Sequence, residues 1–177
     1  MAERLELLIP EERIRAEVAA LARQIDADCR DKRLSLVVVL KGAFVFAADL
    51  MRQIATPFTL HFVSAASYGA GSRSSGQVAL SGLDGLDLAG CDVLVIEDIL
   101  DTGRTVGALL KGLQRHQPAK VKICALLRKP GAFGLDLPAV HIGFDIPDDF
   151  VVGYGMDYAE RYRNLPGIHR LIFDRGR

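Results

Sequence analysis

The chain has 177 residues, 50% of them hydrophobic and 25% charged, a balance that suits one globular domain. Its 22 basic residues equal its 22 acidic ones, so no overall charge favours nucleic acid or an anionic membrane surface as a partner. The cysteines form no C-x-x-C pair, the N-terminus carries no apolar signal core, and Lys41-Gly42 interrupts the most apolar stretch. These features predict a single cytoplasmic domain over residues 1–177, with reduced thiols and no membrane segment.

Helices and strands alternate along the first half of the chain. Pro10 and the two acidic residues after it begin a helix, in which apolar residues recur at helical spacing as far as Ile25. The β-branched run 34–40 is typical of a strand covered on both faces, and 58–65 is predicted as the next strand. Between them, 44–54 is predicted as a helix, whose apolar side chains could serve a subunit interface or only the core.

The second half continues the alternation after one polar segment. Residues 67–76 are small, polar and rich in glycine, which predicts a mobile surface loop. A buried-strand pattern at 92–96 is followed by an acidic turn and by a helix marked by Val106 and Leu113. Further strands are predicted at 77–81, 121–127, 139–144, 150–152 and 169–173. Strands alternating with helices at this spacing indicate an α/β domain with a mostly parallel sheet.

The acidic turn carries the clearest chemical pattern in the chain. Glu97 and Asp98 follow the 92–96 strand, and ligands of open parallel sheets bind beyond the carboxyl ends of the strands. Adjacent carboxylates can accept hydrogen bonds from vicinal sugar hydroxyls, while Gly103 and a helix N-terminus behind them suit a phosphate group. The turn therefore predicts a site for a phosphorylated sugar. The alternative is that Asp98 and Asp101 only shape the turn and cap the helix.

Other nucleotide-binding and metal-binding patterns are incomplete. Gly69-Ala70-Gly71 is not followed by a third glycine at Ser74, and no G-K-[ST] stands in the chain. The four histidines lie far apart in sequence and are interpreted as structural or surface residues. A metal bound here is therefore expected to take oxygen ligands, as Mg²⁺ does.

Three segments together resemble the hypoxanthine–guanine phosphoribosyltransferases, which are type I phosphoribosyltransferases. Residues 93–105 look like their phosphoribosyl pyrophosphate (PRPP) motif, 40–44 like their first active-site loop, and 148–166 like their purine and pyrophosphate segment. The likeness runs from about Ile9 to the C-terminus, with the motifs in the family's order. It implies the type I phosphoribosyltransferase fold, in which helices flank a central, mostly parallel sheet and the N- and C-terminal segments form a small hood.

The resemblance implies purine salvage: transfer of a 5-phosphoribosyl group from PRPP to hypoxanthine or guanine, giving IMP or GMP and pyrophosphate. Asp101 matches the position proposed as the general base at the purine N7. Glu97 and Asp98 match the ribose-hydroxyl ligands. The residues matching the 5′-phosphate loop are Thr102, Gly103, Arg104 and Thr105.

The first active-site loop and the C-terminal segment supply the remaining pyrophosphate and metal positions. Lys41 and Gly42 would bind pyrophosphate through backbone N–H groups, and a cis peptide bond is expected between Leu40 and Lys41. Arg163 would also contact pyrophosphate. Asp157 would ligate Mg²⁺, together with the two carboxylates of the acidic turn.

Purine recognition is implied at three positions and a lid at two more. Lys129 would donate to the exocyclic O6, Phe150 would stack on the purine, and Val151 would read its edge through the backbone. Ser67 and Tyr68 would begin a loop that closes over the reacting groups.

Two alternatives stay open from the sequence. One is a phosphoribosyltransferase acting on xanthine or a pyrimidine, against which Lys129 and Phe150 favour a 6-oxopurine. The other is a PRPP-binding regulator that catalyses little, against which Asp101, Asp157 and Arg163 favour an enzyme. PRPP and the base are the expected partners, without nucleic acid or membrane, and the family implies a homodimer or homotetramer.

Overall fold

The computed structural model describes residues 3–67, 78–132, 136–138 and 140–173. The strands are β1 (Glu3–Ile9), β2 (Leu34–Leu40), β3 (Phe58–Ser67), β4 (Val78–Ser81), β5 (Asp92–Leu100), β6 (Lys120–Arg128), β7 (Val140–Asp145), β8 (Val151–Val152) and β9 (Ile168–Phe173). The helices are α1 (Glu11–Asp28), α2 (Phe44–Met51) and α3 (Arg104–Gln114), with a 3₁₀ turn at Pro130–Ala132.

Six strands form the central sheet in the order β4-β3-β2-β5-β6-β7. Every pairing in it is parallel except that of β3 with the edge strand β4. Along β2, Leu36 and Val38 pack into the core beneath α1 and α2, while Val37 and Val39 pack beneath α3. A strand buried on both faces favours apolar residues along its length, which explains the β-branched run in the sequence. The exception is the buried Ser35, whose hydroxyl accepts a hydrogen bond from the Thr59 hydroxyl at 2.9 Å. The predicted α/β fold with a mostly parallel sheet is confirmed.

The crossover connections diverge at the centre of this sheet. After β2 the chain passes through α2 to β3, whereas after the neighbouring β5 it passes through α3 to β6 on the other side. Such a divergence opens a crevice at the carboxyl ends of the two strands, where ligands of open α/β sheets bind. The register, with Val38 opposite Ile96, brings Lys41-Gly42 and Glu97-Asp98 to this crevice together.

A second sheet, with the order β1-β9-β8, forms the hood that the resemblance implies. Strands β1 and β9 pair in an antiparallel arrangement, with Glu3 opposite Phe173. Val151, Met156 and Ile168 extend the core that α1 and α2 cover, which joins the hood to the central sheet. Strand β1 was missed by the pattern analysis, because Leu7 is exposed and the paired leucines before Ile9 break the alternation.

The ends of one helix and one strand differ from the predictions. Helix α2 ends at Met51 rather than residue 54, because the amides of Gln53 and Ile54 both turn back to the carbonyl of Leu50. Strand β5 continues to Leu100 instead of ending at residue 96, because its pairing with β6 persists. The two acidic residues therefore lie on the strand and not in a turn.

The start of α3 corrects the capping alternative. The helix begins at Arg104, and its N-cap is Gly103 in the left-handed conformation, with no side-chain cap. Asp101 precedes the cap and does not close the helix. The interpretation of this aspartate as a helix-capping residue is therefore wrong.

The cysteines agree with the sequence-based prediction, and the lid loop cannot be compared. Cys29, Cys91 and Cys124 are free and buried. Residues 68–77, which contain nearly all of the predicted mobile loop, lie outside the described residues. Within the described part of the chain, no helix combines the length and apolar character needed to cross a membrane.

Candidate active site

Two adjoining cavities occupy the crevice above β2 and β5. The larger, of about 410 Å³, lies between the central sheet and the hood. Its lining residues are Lys41, Gly42, Asp98, Ile99, Asp101, Lys129, Phe150, Val151, Met156, Asp157, Glu160 and Arg163. The smaller, of about 290 Å³, is lined by residues 97–106. All the predicted sugar, phosphate, purine and metal positions thus converge, although they come from segments as far apart as residues 41 and 163.

Two carboxylates share the end of β5. Glu97 is buried, and its Oε2 has no hydrogen-bond partner within the described residues. Burial raises the pKa of Glu97 well above its ordinary value, and the adjacent charge of Asp98 raises it further. Burial also raises the pKa of Asp98, although hydrogen bonds from Glu97 and from the Ile99 amide oppose this. The pair therefore favours retaining a proton until a cation or sugar hydroxyls arrive.

Two adjacent carboxylates, one of which has a buried oxygen without a partner in the described residues, fit Mg²⁺. Magnesium is typically held by one or two carboxylates, substrate phosphates and water rather than by an all-protein cage. In the part of the chain described, no cluster of three or more metal-ligating side chains is preformed, so Asp157 does not share a ready-made metal site with Glu97 and Asp98. The unpartnered Glu97 oxygen is the observation that supports a metal–sugar site here.

We expect the free protein to become more stable when Glu97 is replaced by Gln. The amide removes the cost of ionising or protonating a buried carboxyl and can donate to Asp98, so the free energy of unfolding at neutral pH should rise by about 1–2 kcal/mol. A chain of this size would then melt about 2–8 °C higher by calorimetry. PRPP affinity should fall in the same variant.

The pH dependence supplies a second readout for Glu97→Gln. Folding raises the pKa of Glu97. The stability that its carboxyl contributes is therefore fully present below the pKa of the unfolded state, and it is lost as pH rises through the pKa of the folded state. The melting advantage of the variant should therefore widen between pH 5 and pH 8. An advantage that narrows over this range would contradict the raised pKa.

Gly42 lies directly against Asp98. A Cβ atom at residue 42 would stand 1.6 Å from Asp98 Oδ2, so only glycine leaves room for the carboxylate. The peptide bond between Leu40 and Lys41 is cis, as the resemblance implies. The first active-site loop and the acidic strand end are therefore in contact.

The smaller cavity forms a cradle at the start of α3. Gly103 has a φ of +73°, a left-handed conformation that costs a glycine little, and α3 begins at the next residue. The first turn of a helix presents backbone N–H groups that lack intrahelical acceptors, and these favour an anion. Thr102 and Thr105 line the same cavity and add hydroxyl groups. This arrangement suits a phosphate monoester.

Lys129, which lines the larger cavity, lies between two carboxylates. Its Nζ is 3.7 Å from Asp101 Oδ2 and 3.3 Å from Asp148 Oδ1, and its side chain is only 12% exposed. Its backbone amide donates to the Leu100 carbonyl, which ties it to the end of β5. A fixed ammonium group beside a half-exposed carboxylate can bind the polar edge of a heterocycle while the carboxylate accepts a proton.

Arg163 and Lys41 are held by acidic groups at the opposite end. Arg163 Nη2 is 2.7 Å from Asp157 Oδ1 and 3.2 Å from Glu160 Oε2. Lys41 Nζ is 3.0 Å from the other Glu160 oxygen, and hydrogen bonds from Lys41 and Arg163 lower the pKa of Glu160. The exposed Glu160 thus bridges two cations, and a polyanionic ligand would compete with it for both.

The hood contributes one aromatic and two aliphatic side chains to the lining of the larger cavity. Phe150 is 48% exposed where it meets the cavity, whereas Val151 and Met156 are buried. The burial of the Val151 side chain is compatible with the expected backbone contact, which stays a prediction. Ser67 ends β3, and Tyr68 lies outside the described residues, so the lid stays a prediction.

Sequence reasoning missed three lining residues. Ile99 and Met156 are apolar residues inside quoted motifs, and they look like ordinary core positions. Both could have been found from the sequence, because Ile99 follows Asp98 and Met156 precedes Asp157, two of the predicted site residues. Glu160 looked like a solvated surface charge, and nothing in its neighbours reveals the bridge to Lys41, which is 119 positions away.

Comparison with known proteins agrees with this geometry. A family described as "Phosphoribosyl transferase domain" matches residues 9–159. The chain is 42% identical to hypoxanthine phosphoribosyltransferase of Salmonella typhimurium, over 97% of this chain and 98% of that protein. It is 45% identical to hypoxanthine-guanine phosphoribosyltransferase of Mycobacterium avium, over 93% and 84% of the two chains.

A solved structure shares the whole fold. The crystal structure of a hypoxanthine-guanine phosphoribosyltransferase from Bacillus anthracis is similar with a TM-score of 0.88 and 41% identity, over 97% of this chain and 100% of that one. The chain therefore belongs to the phosphoribosyltransferase family, within the group of the hypoxanthine–guanine enzymes.

Proposed function

We propose that this protein is a purine-salvage enzyme that transfers a 5-phosphoribosyl group from PRPP to N9 of hypoxanthine or guanine. The products are IMP or GMP and pyrophosphate. The observation that carries the proposal is the joining of three groups at one crevice. These are the buried Glu97-Asp98 pair, the phosphate cradle that begins at Gly103, and the Lys129–Asp101 pair facing both.

The proposed reaction exchanges one bond at the ribose C1′. The bond from C1′ to the pyrophosphate oxygen breaks, and its electron pair leaves with pyrophosphate while purine N9 bonds to C1′. Asp101 accepts the proton from N7, and Lys129 donates to O6 to fix the orientation of the base. The carboxylates of Glu97 and Asp98 bind the ribose hydroxyls and favour the cation-like ring.

The leaving group is proposed to bind at the other end of the cavity. Arg163 and the backbone N–H groups of Lys41 and Gly42 would hold pyrophosphate, with Mg²⁺ at Glu97, Asp98 and Asp157. When bound, the ion supplies positive charge that stabilises the leaving pyrophosphate. Asp157 already engages Arg163, so the β5 pair is the stronger support for the metal. PRPP should bind much more weakly when Mg²⁺ is removed with a chelator, as calorimetry would measure.

The test of the proposal is PRPP-dependent turnover of hypoxanthine, guanine and xanthine, with a pyrimidine included. We expect IMP or GMP formation to exceed conversion of the pyrimidine, because Lys129 provides a donor for the purine O6 and Phe150 a ring for stacking. We expect it also to exceed conversion of xanthine, because the relatives are named for hypoxanthine and guanine. Preferred turnover of xanthine or of a pyrimidine would favour the alternative enzymes. PRPP binding without turnover of any base would favour a regulator.

The whole chain, residues 1–177, is proposed to act as one domain in the cytoplasm, which its three free buried cysteines support. A homodimer or homotetramer is proposed on the exposed Phe44 of α2. This residue borders a cavity of about 710 Å³ whose rim carries Glu11 and Asp49 as well as Arg15 and Arg52. Light scattering of the parent and of Phe44→Asp would test the assembly.

A further inference from the structure

Phe150 belongs to a cluster of three aromatic rings. Its centroid is 5.7 Å from that of Tyr158, at an interplanar angle of 86°, and 6.4 Å from that of Phe173. Tyr158 and Phe173 are themselves 5.1 Å apart, so the three rings form a closed triangle. Edge-to-face contacts at these distances are favourable and directional. The triangle restrains the ring plane of Phe150 and leaves half of its surface facing the cavity.

A second set of contacts secures Tyr158 from its outer side. Residues 158–161 form a tight turn closed by hydrogen bonds in both directions, with positive φ at Ala159 and Glu160. This turn brings the Arg161 guanidinium over the Tyr158 ring at 5.9 Å. The guanidinium also lies 5.2 Å from the Tyr162 ring. The aromatic triangle is thereby joined to a cation held by two rings.

The first strand of the hood fixes that cation. Both oxygens of Glu3 accept hydrogen bonds from Arg161 Nη2, at 2.7 and 2.8 Å. The Tyr162 hydroxyl also donates to Glu3 at 2.6 Å. These bonds lower the pKa of Glu3, so the carboxylate stays charged through the neutral range. A residue at the start of the chain is thus linked through Arg161 and Tyr158 to the ring that faces the purine site.

We propose that Tyr158 and Phe173 are positioning residues, which hold Phe150 in the orientation that stacks on the purine, and that the Glu3–Arg161 pair secures Tyr158. The inference rests on the proposed function and adds to it the residues that determine purine affinity. A half-exposed phenylalanine without these neighbours would rotate and lose stacking area. The proposal concerns the base alone, since none of the three rings contacts the phosphate cradle.

Steady-state kinetics with separate titration of hypoxanthine and PRPP tests the proposal. We expect Tyr158→Leu and Phe173→Leu each to raise KM for hypoxanthine about tenfold and KM for PRPP less than twofold. Tyr158→Phe keeps the ring and should behave as the parent. Phe58→Leu, at the far end of the central sheet, removes a ring elsewhere and serves as the matched control.

Tyr158→Leu could act by disturbing Asp157, its neighbour in sequence, rather than by releasing Phe150. Phe173→Leu tests this, because Phe173 lies on β9 and is not next to Asp157 in sequence. If only Tyr158→Leu has an effect, or if both KM values rise together in both variants, the proposal fails. Glu3→Gln should raise KM for hypoxanthine by a smaller factor, about threefold, and leave KM for PRPP nearly unchanged. An unchanged KM for hypoxanthine would mean that the Glu3–Arg161 pair has no part in positioning Phe150. Absence of turnover in the parent would instead overturn the proposed function, so the two failures are distinguishable.

Discussion

Asp101→Asn lowers the single-turnover rate by about 10²–10⁴-fold, the usual contribution of a positioned general base, while PRPP binds with nearly unchanged affinity. The asparagine keeps the shape of the side chain and loses the ability to accept the N7 proton. Asp101 is half-exposed, and the largely buried Lys129 ammonium keeps Asp148 as its partner, so the substitution leaves no buried charge unpaired. Rapid-quench measurement with enzyme in excess isolates this step from product release.

Asp148→Asn is the matched control for the base. Asp148 also contacts Lys129, at 3.3 Å, but it is 80% exposed and has no proposed part in proton transfer. Its loss should change the rate less than tenfold. Equal losses in the two variants would mean that Asp101 matters only as a partner of Lys129, and the proposed base would then be wrong.

Gly42→Ala should lower kcat/KM by at least about 10²-fold, the cost of misplacing a reacting group by about 1 Å. The new methyl carbon would overlap Asp98 Oδ2, so either the carboxylate or the first active-site loop must shift. Both are proposed to contact PRPP. Calorimetric titration with PRPP and Mg²⁺ should show a corresponding loss of affinity.

Gly107→Ala provides the control for adding a methyl group. A Cβ at Gly107 meets no atom within 4 Å, and the residue lies inside α3, where alanine favours the helix. This variant should gain about 0.5–1 kcal/mol in the free energy of unfolding and retain activity. If Gly42→Ala also retained activity, the close contact between residues 42 and 98 would not be required for the reaction.

The central sheet could be predicted from sequence because its inner strands β2, β5 and β6 are buried on both faces. Runs such as 34–40 are almost wholly apolar, with the buried Ser35 as the exception. The hood could not be predicted from pattern, since β8 has two residues and β1 carries an exposed leucine. Only the resemblance anticipated it.

The candidate site divides in the same way. Glu97 and Asp98 attract notice because carboxylates at the end of an apolar strand need a reason. Lys129 and Phe150 came from the resemblance, because each would pass for a turn or core residue. Glu160 was found neither from the residue pattern nor from the resemblance. Its role depends on contacts with Lys41 and Arg163, which come together only when the chain folds.

The antiparallel pairing of β1 with β9 makes the chain a candidate for circular permutation. Glu3 lies opposite Phe173, so the ends of the described chain are about one strand spacing, roughly 4.8 Å, apart. A short linker could join them, with new ends opened at an exposed loop of the central sheet. Because Phe173, in the last described strand, belongs to the aromatic triangle, a substitution or permutation that disturbs this strand should weaken hypoxanthine binding more than PRPP binding.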